Sequence, residues 1–227
     1  MRDKIIIALV VFAVALLGWS LYRIFMVVPD EANQGAIFRI IYIHLPTIFT
    51  GFLGFMVALV SSILYLTKGD MKYDSLAAGV TEVALVFAGI VLVTGSIWAR
   101  IIWGVWWAWE PRLTSMLICW LTYAGYLMLR RAIDEPAQRA RLSAVVSIFG
   151  FVEVIIVYKA IDWFRTLHPQ PVLSVRGGGG MAPGMEAPIY WNWLAFVCLA
   201  TAMVMIRMKQ DEMSREIDSL RREAHLY

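Results

Sequence analysis

Apolar residues along this chain gather into six long blocks, at about 5–27, 45–66, 76–99, 113–129, 142–164 and 189–208. Each reaches or approaches the roughly 20 residues that an α-helix needs to cross a hydrocarbon core. The blocks are too long and too uniformly apolar for alternating barrel strands, and a backbone in lipid must satisfy its own hydrogen bonds. The pattern predicts an all-α integral membrane protein with six transmembrane helices. The first block lacks a small-residue cleavage site after a short core, so it reads as a retained helix and not as a signal peptide. The last polar block, from 209 to 227, reads as a solvated helical tail that contains His225. Two regions follow: a six-span domain over 1–208 and a charged tail over 209–227.

Composition agrees. Of 227 residues 60% are hydrophobic and only 16% charged, with mean hydropathy +0.69; an average soluble domain is about 45–50% apolar. The net charge of +3 is spread along the chain and does not point to nucleic acid. Lysine and arginine in the short loops set the orientation. With the N-terminus in the cytoplasm, the inner segments hold thirteen: Arg2, Lys4, Lys68, Lys72, Arg130, Arg131, Arg139, Arg141, Arg207, Lys209, Arg215, Arg221 and Arg222. The outer segments hold six: Arg23, Arg39, Arg100, Arg112, Arg165 and Arg176. Both termini are therefore expected to be cytoplasmic. Segments 28–44, 100–112 and 165–188 then share the outer face.

Cys119 and Cys198 lie in apolar blocks without a CxxC or CxxCH spacing, which argues against a disulfide framework and against covalent haem attachment. No GxxxxGK[ST] phosphate loop occurs, so the chain itself is not expected to hydrolyse ATP. The patch RGGGGMAPGM, 176–185, reads as a flexible loop. Its Met181 and Met185 are conceivable metal contacts, but an ordinary mobile loop is the simpler reading.

The middle outer segment is WGVWWAWEP, 103–111. Tryptophan favours the membrane interface, where its ring sits among headgroups and its N–H stays wet. That accounts for Trp19, Trp163, Trp191 and Trp193. It accounts less well for four tryptophans within one connection. Trp103, Trp106, Trp107 and Glu110 stand at i, i+3, i+4 and i+7, the spacing of one helix face, and Pro111 ends that turn or opens the next helix. A short surface helix with an indole platform is expected, with an interfacial lipid anchor as the competing role.

Two histidines flank this segment in the other two outer loops, each near a proline: His44 in YIHLP and His168 in TLHPQP. A lone histidine at such a depth is more often a hydrogen-bonded interfacial residue than a ligand. A pair suits axial ligation of a haem iron. Indoles would supply the apolar contact, and arginines such as Arg39, Arg112 and Arg165 could pair with propionates.

WGVWWAWEPRLTS, 103–115, closely resembles the tryptophan-rich WWD signature of the haem-handling proteins of cytochrome c maturation. Six spans, RIIYIHLP before the second and TLHPQP after the fifth resemble the CcmC branch of that family, over essentially the whole chain. The resemblance implies a protein of the bacterial inner membrane that is not an enzyme. It would bind haem b transiently at the periplasmic face and present it to the haem chaperone CcmE. Partners would be the ABC-transporter subunits CcmA and CcmB, the small subunit CcmD and the surrounding lipid. By motif position, His44 and His168 would be the axial ligands. Trp103, Gly104, Trp106, Trp107 and Trp109, with Glu110 and Arg112, would form the binding segment. Glu110 departs from the family's usual aspartate; its charge is kept but its side chain is one methylene longer. The larger relatives CcmF and CcsA share the tryptophan signature but carry more spans and histidines.

Two other classes compete. A permease or channel would make use of Glu82, Glu153 and Lys159 inside the spans, since intramembrane charges are costly and often functional. Glu82 and Lys159 are, however, poorly matched in depth. A structural subunit of an ABC complex would explain six spans without a nucleotide motif, but not paired histidines around a tryptophan cluster.

Overall fold

The structure, a computed structural model, describes residues 1–169, 173, 181–182 and 184–224. Six long helices follow the six apolar blocks: α1 (Arg2–Met26), α2 (Ile41–Lys68), α3 (Met71–Ile102), α4 (Pro111–Ala132), α5 (Pro136–Trp163) and α6 (Ala187–Ala224). His225, Arg176 and most of the glycine patch lie outside the described residues. Five helices are long and apolar enough to cross a membrane; α4 is not among them. It has 22 residues, but Thr114, Ser115, Trp120, Thr122, Tyr123 and Tyr126 dilute its apolar character. Those polar groups are partly met inside the bundle. Trp120 Nε1 donates to the Leu85 carbonyl at 3.2 Å and the Tyr123 hydroxyl to the Ser147 carbonyl at 3.3 Å. A helix walled by neighbours can carry such groups where a lipid-facing one cannot.

Local chemistry sets the ends. Gly69 closes α2 at φ 70°, a left-handed conformation open to glycine at little cost. Asp70 then caps α3 by accepting from the Lys72 amide. Pro136 and Pro111 stand at the starts of α5 and α4, where a missing N–H costs nothing.

α2 is the central helix, packed on α3, α5 and α6, while α4 pairs with α5 and α1 with α6. Without a hydrophobic drive in lipid, helices associate through close packing of small residues. At Gly54 of α2, an added Cβ would stand 2.7 Å from the Ala84 Cβ of α3, so any larger residue forces the two helices apart. Phe55 and Tyr123 stack at 3.8 Å with planes 11° apart, joining α2 to α4 in the middle of the core. α1 buries only Ala13, Ser20 and Ile24, and presents Ile7, Val11, Phe12 and Val14 outward, as a lipid-facing helix does.

Pro46 lies inside α2 and has no N–H to give the Tyr42 carbonyl. Asn192 of α6 supplies the missing donor, its side-chain amide reaching that carbonyl at 2.6 Å. α2 therefore begins at Ile41, earlier than the apolar block suggested, and His44 stands in its first turn instead of in the preceding connection.

Intramembrane charges are largely paired. Glu82 of α3 binds Arg207 of α6, with Nη2 to Oε1 at 2.9 Å. Lys159 meets Asp162 one turn away at 3.0 Å. Asp74 takes the Arg130 guanidinium with two bonds, 2.6 and 2.9 Å. These are local or interhelical ties and form no relay among the described residues. At the far end of α6, Glu212 pairs with Arg2 and Lys209 with Asp3, so the chain's start and the tail helix share one end of the bundle. At about 1.5 Å per residue, the 38 residues of α6 run roughly 57 Å, well past a hydrocarbon core of about 30 Å.

Candidate functional site

At the opposite end the three outer segments converge. Arg39 is tied to the Ile24 and Val28 carbonyls at 2.9 and 3.1 Å and pairs with Asp30. Trp98 Nε1 donates to Gln34 at 2.8 Å. Thr166 donates to Glu110. Met181 and Met185 are buried with Ile24, Tyr42 and Ile189, so they act as packing residues beneath the loops.

The tryptophan segment is not the short helix that its spacing predicted. Trp103 ends α3, Gly104 turns at φ +76°, and residues up to Glu110 are irregular. Two causes are local. Gly104 adopts a left-handed conformation, and its carbonyl accepts from Arg100. Pro111 pushes the residue before it out of the helical region, and Glu110 sits at φ −96°, ψ 160°. The indoles therefore splay. The Trp103 ring meets His168 edge-on, centroids 5.4 Å apart. Trp107 turns inward, with Nε1 buried and without an acceptor among the described residues. Trp106 and Trp109 face outward, 61% and 78% exposed; Arg100 lies over the Trp106 ring and Trp109 against Trp107.

His44, Trp107, Arg112 and His168 line one cavity, of about 40 Å³, between α2, α3, α4, α5 and the outer loops. Its floor is apolar: Ile48, Phe52, Val91, Leu92, Met116 and Val157. That volume takes roughly two or three waters; a flat macrocycle enters only if the walls part.

Each histidine has a partner at Nδ1. The His44 ring is 2.8 Å from Thr94 Oγ1. The Thr94 hydroxyl already donates to the Ile90 carbonyl at 2.7 Å, so it accepts from His44, and Nδ1 carries the hydrogen. Trp98 packs edge-on against the same ring at 5.8 Å. His168 Nδ1 lies 3.2 Å from Glu110 Oε1, without the alignment of a full hydrogen bond and with no other partner among the described residues. Thr166 ties the two a second time, donating to Glu110 and accepting the His168 amide at 3.1 Å. Neither Nε2 has a hydrogen-bond partner among the described residues.

Glu110 is 7% exposed. It caps α4, accepting from the Leu113 amide at 2.7 Å. Burial opposes its ionisation. The neighbouring His168 ring, the Thr166 hydroxyl and the Leu113 amide outweigh that and hold the carboxyl down at about 2. Thr94, Gly95, Trp98 and Thr166 were not singled out by sequence. Thr94 and Trp98 fall one helical turn apart on α3, a periodicity that would have carried the signal had α3 been known to face His44.

Fold and site define the class: a multi-pass helical membrane protein whose three outer segments gather two histidines and a tryptophan around one cleft. The profile of the family described as CcmC, Heme exporter protein C, matches residues 1–223. Similar proteins include Heme exporter protein C of Bradyrhizobium diazoefficiens, 31% identical over 91% of this chain and 78% of that protein. That of Paracoccus denitrificans is 33% identical over 85% and 80%, and that of Escherichia coli K12 is 31% identical over 80% and 73%. This chain belongs to the Heme exporter protein C family.

Proposed function

We propose that this protein binds haem b at the outer face of the bacterial inner membrane and presents it to the haem chaperone CcmE during cytochrome c maturation. It does so in company with the ABC-transporter subunits CcmA and CcmB and the small subunit CcmD. Family membership supports the haem-handling role. The observation that carries the reading is the pair His44 and His168, 124 positions apart in the sequence, facing one cleft with neither Nε2 atom engaged among the described residues. Two imidazoles presented this way suit the two axial positions of a haem iron. Trp107, Trp103 and the apolar floor offer contact to a porphyrin, and the Arg112 guanidinium on the cleft wall is suited to a propionate.

The small cleft argues for a site that opens to receive haem and closes when it leaves. His44 is fixed on a helix, whereas His168 hangs on the connection after α5, held through Thr166 and Glu110. Parting that connection from α2 would separate the ligands without disturbing the bundle, which suits a carrier that must release its cargo. The outward indoles of Trp106 and Trp109 give an incoming chaperone an apolar surface beside the cleft.

The test is an absorbance titration of the detergent-purified chain with haemin, beside His44→Ala and His168→Ala. A six-coordinate low-spin spectrum in the wild type, lost in both variants, supports the reading. Identical spectra in all three sink it.

A further inference from the structure

The partners of the two histidines are not alike, and on the reading that both rings ligate haem iron this difference has a consequence. We propose that Thr94 and Glu110 are positioning residues that make the two axial ligands unequal, His168 being the stronger donor to ferric iron and His44 the weaker.

A ligating histidine almost always gives its other ring N–H to a neighbouring acceptor, which fixes the tautomer and adds electron density to the ligating nitrogen. Thr94 is a neutral acceptor. Its hydroxyl proton is committed to Ile90, so it can only receive from His44 Nδ1. It fixes that ring with Nε2 toward the cleft and adds little charge. Glu110 is a carboxylate 3.2 Å from His168 Nδ1. As the ring turns to ligate, the Nδ1–H can settle on Oε1, and the imidazole takes on anionic character. A more anionic ligand favours the ferric ion over the ferrous.

Glu110 is held for this task at both oxygens. The Leu113 amide, the cap bond of α4, fixes Oε1, and the Thr166 hydroxyl fixes Oε2. The first turn of α4 and the His168 connection are thereby coupled. Gly95 completes the other half: a Cβ there would come within 3.3 Å of His44 Cε1, so the absence of a side chain lets that edge of the ring approach α3 closely.

The inequality predicts different signatures for the two substitutions. Glu110→Gln keeps size and an acceptor but removes the charge. Haemin binding persists, and ferric binding weakens about tenfold relative to ferrous, a rise of about 59 mV in the one-electron midpoint potential. Glu110→Asp, with the charge restored, returns the potential toward the wild type. Thr94→Val leaves His44 free to flip tautomer. It weakens haem binding in both the ferric and the ferrous state by about 10-fold or more and moves the potential little.

The experiment is a haemin titration and a potentiometric titration of the full-length chain in detergent, for wild type, Glu110→Gln, Glu110→Asp, Thr94→Val, His44→Ala and His168→Ala. An unmoved potential in Glu110→Gln, with the bis-histidine spectrum still lost in His168→Ala, overturns the proposal and leaves the ligand assignment standing. A shift equal in Thr94→Val and Glu110→Gln overturns the inequality. Spectra indifferent to both histidines overturn the ligand assignment and the proposal with it.

Discussion

Asn192 on α6 donates its side-chain amide to the carbonyl of Tyr42 on α2 at 2.6 Å. The carbonyl is open because Pro46, four residues on, has no N–H to offer it. One hydrogen bond thus repairs the break that proline makes in α2 and anchors the turn that carries His44.

Replacing Asn192 by Leu leaves that carbonyl unmet. A loss of about 0.6–2 kcal/mol is expected, the range measured for polar contacts between membrane helices. Adding Pro46→Ala restores the internal donor and recovers most of it. Thermal unfolding in detergent of the two single variants and the double variant checks this; additive losses would contradict the repair.

Asp74 and Arg130 form a bidentate pair, with side chains 5% and 14% exposed. Removing one member of a buried pair strands the other charge. Asp74→Ala is expected to cost about 3–5 kcal/mol, and Arg130→Met in that background to regain part of the loss. The readout is again the unfolding midpoint.

Glu110 has its carboxyl held at about 2, below the ordinary 4.5, by the hydrogen bonds that outweigh its burial. A depressed acid contributes stability above its unfolded value and loses it as pH falls toward the folded one. Between pH 4.5 and pH 2 the protein should lose stability, and Glu110→Gln should flatten that part of the profile. Unfolding midpoints measured every half unit of pH decide it.

Gly95 leaves room for the His44 ring. Gly95→Val forces a side chain against Cε1. Overpacking of about 1–3 kcal/mol corresponds to haemin binding weakened by roughly 5- to 150-fold, with the helices intact by circular dichroism. Unaltered affinity would mean that His44 does not need its present orientation.

Trp109 is largely exposed. Trp109→Ala should leave unfolding within about 0.5 kcal/mol while lowering haem transfer to the chaperone in a coupled assay. Equal transfer by the variant and the wild type would remove this indole from the docking surface.

The sequence alone determined the parts that depend on local composition. Lipid demands long apolar helices, so the six blocks, the order of the helices and the polar connections were legible, with helix ends displaced by several residues. For the start of α4 the sequence left two roles for Pro111, ending a turn or opening a helix, and the structure selects the second. His44 and His168 stood out because histidines are few and both fall at one end of the predicted spans. Tertiary structure decided what each of these residues faces. The helical spacing of Trp103, Trp106, Trp107 and Glu110 is a fact of the sequence, yet Gly104 and Pro111 override it, and only packing sends Trp107 inward and Trp109 outward. The hydrogen bonds of Thr94 to His44 and of Asn192 to Tyr42 span 50 and 150 positions. No local periodicity encodes such pairs; they exist because close helix packing, at Gly54 and Ala84 among others, fixes which faces of α2, α3 and α6 meet.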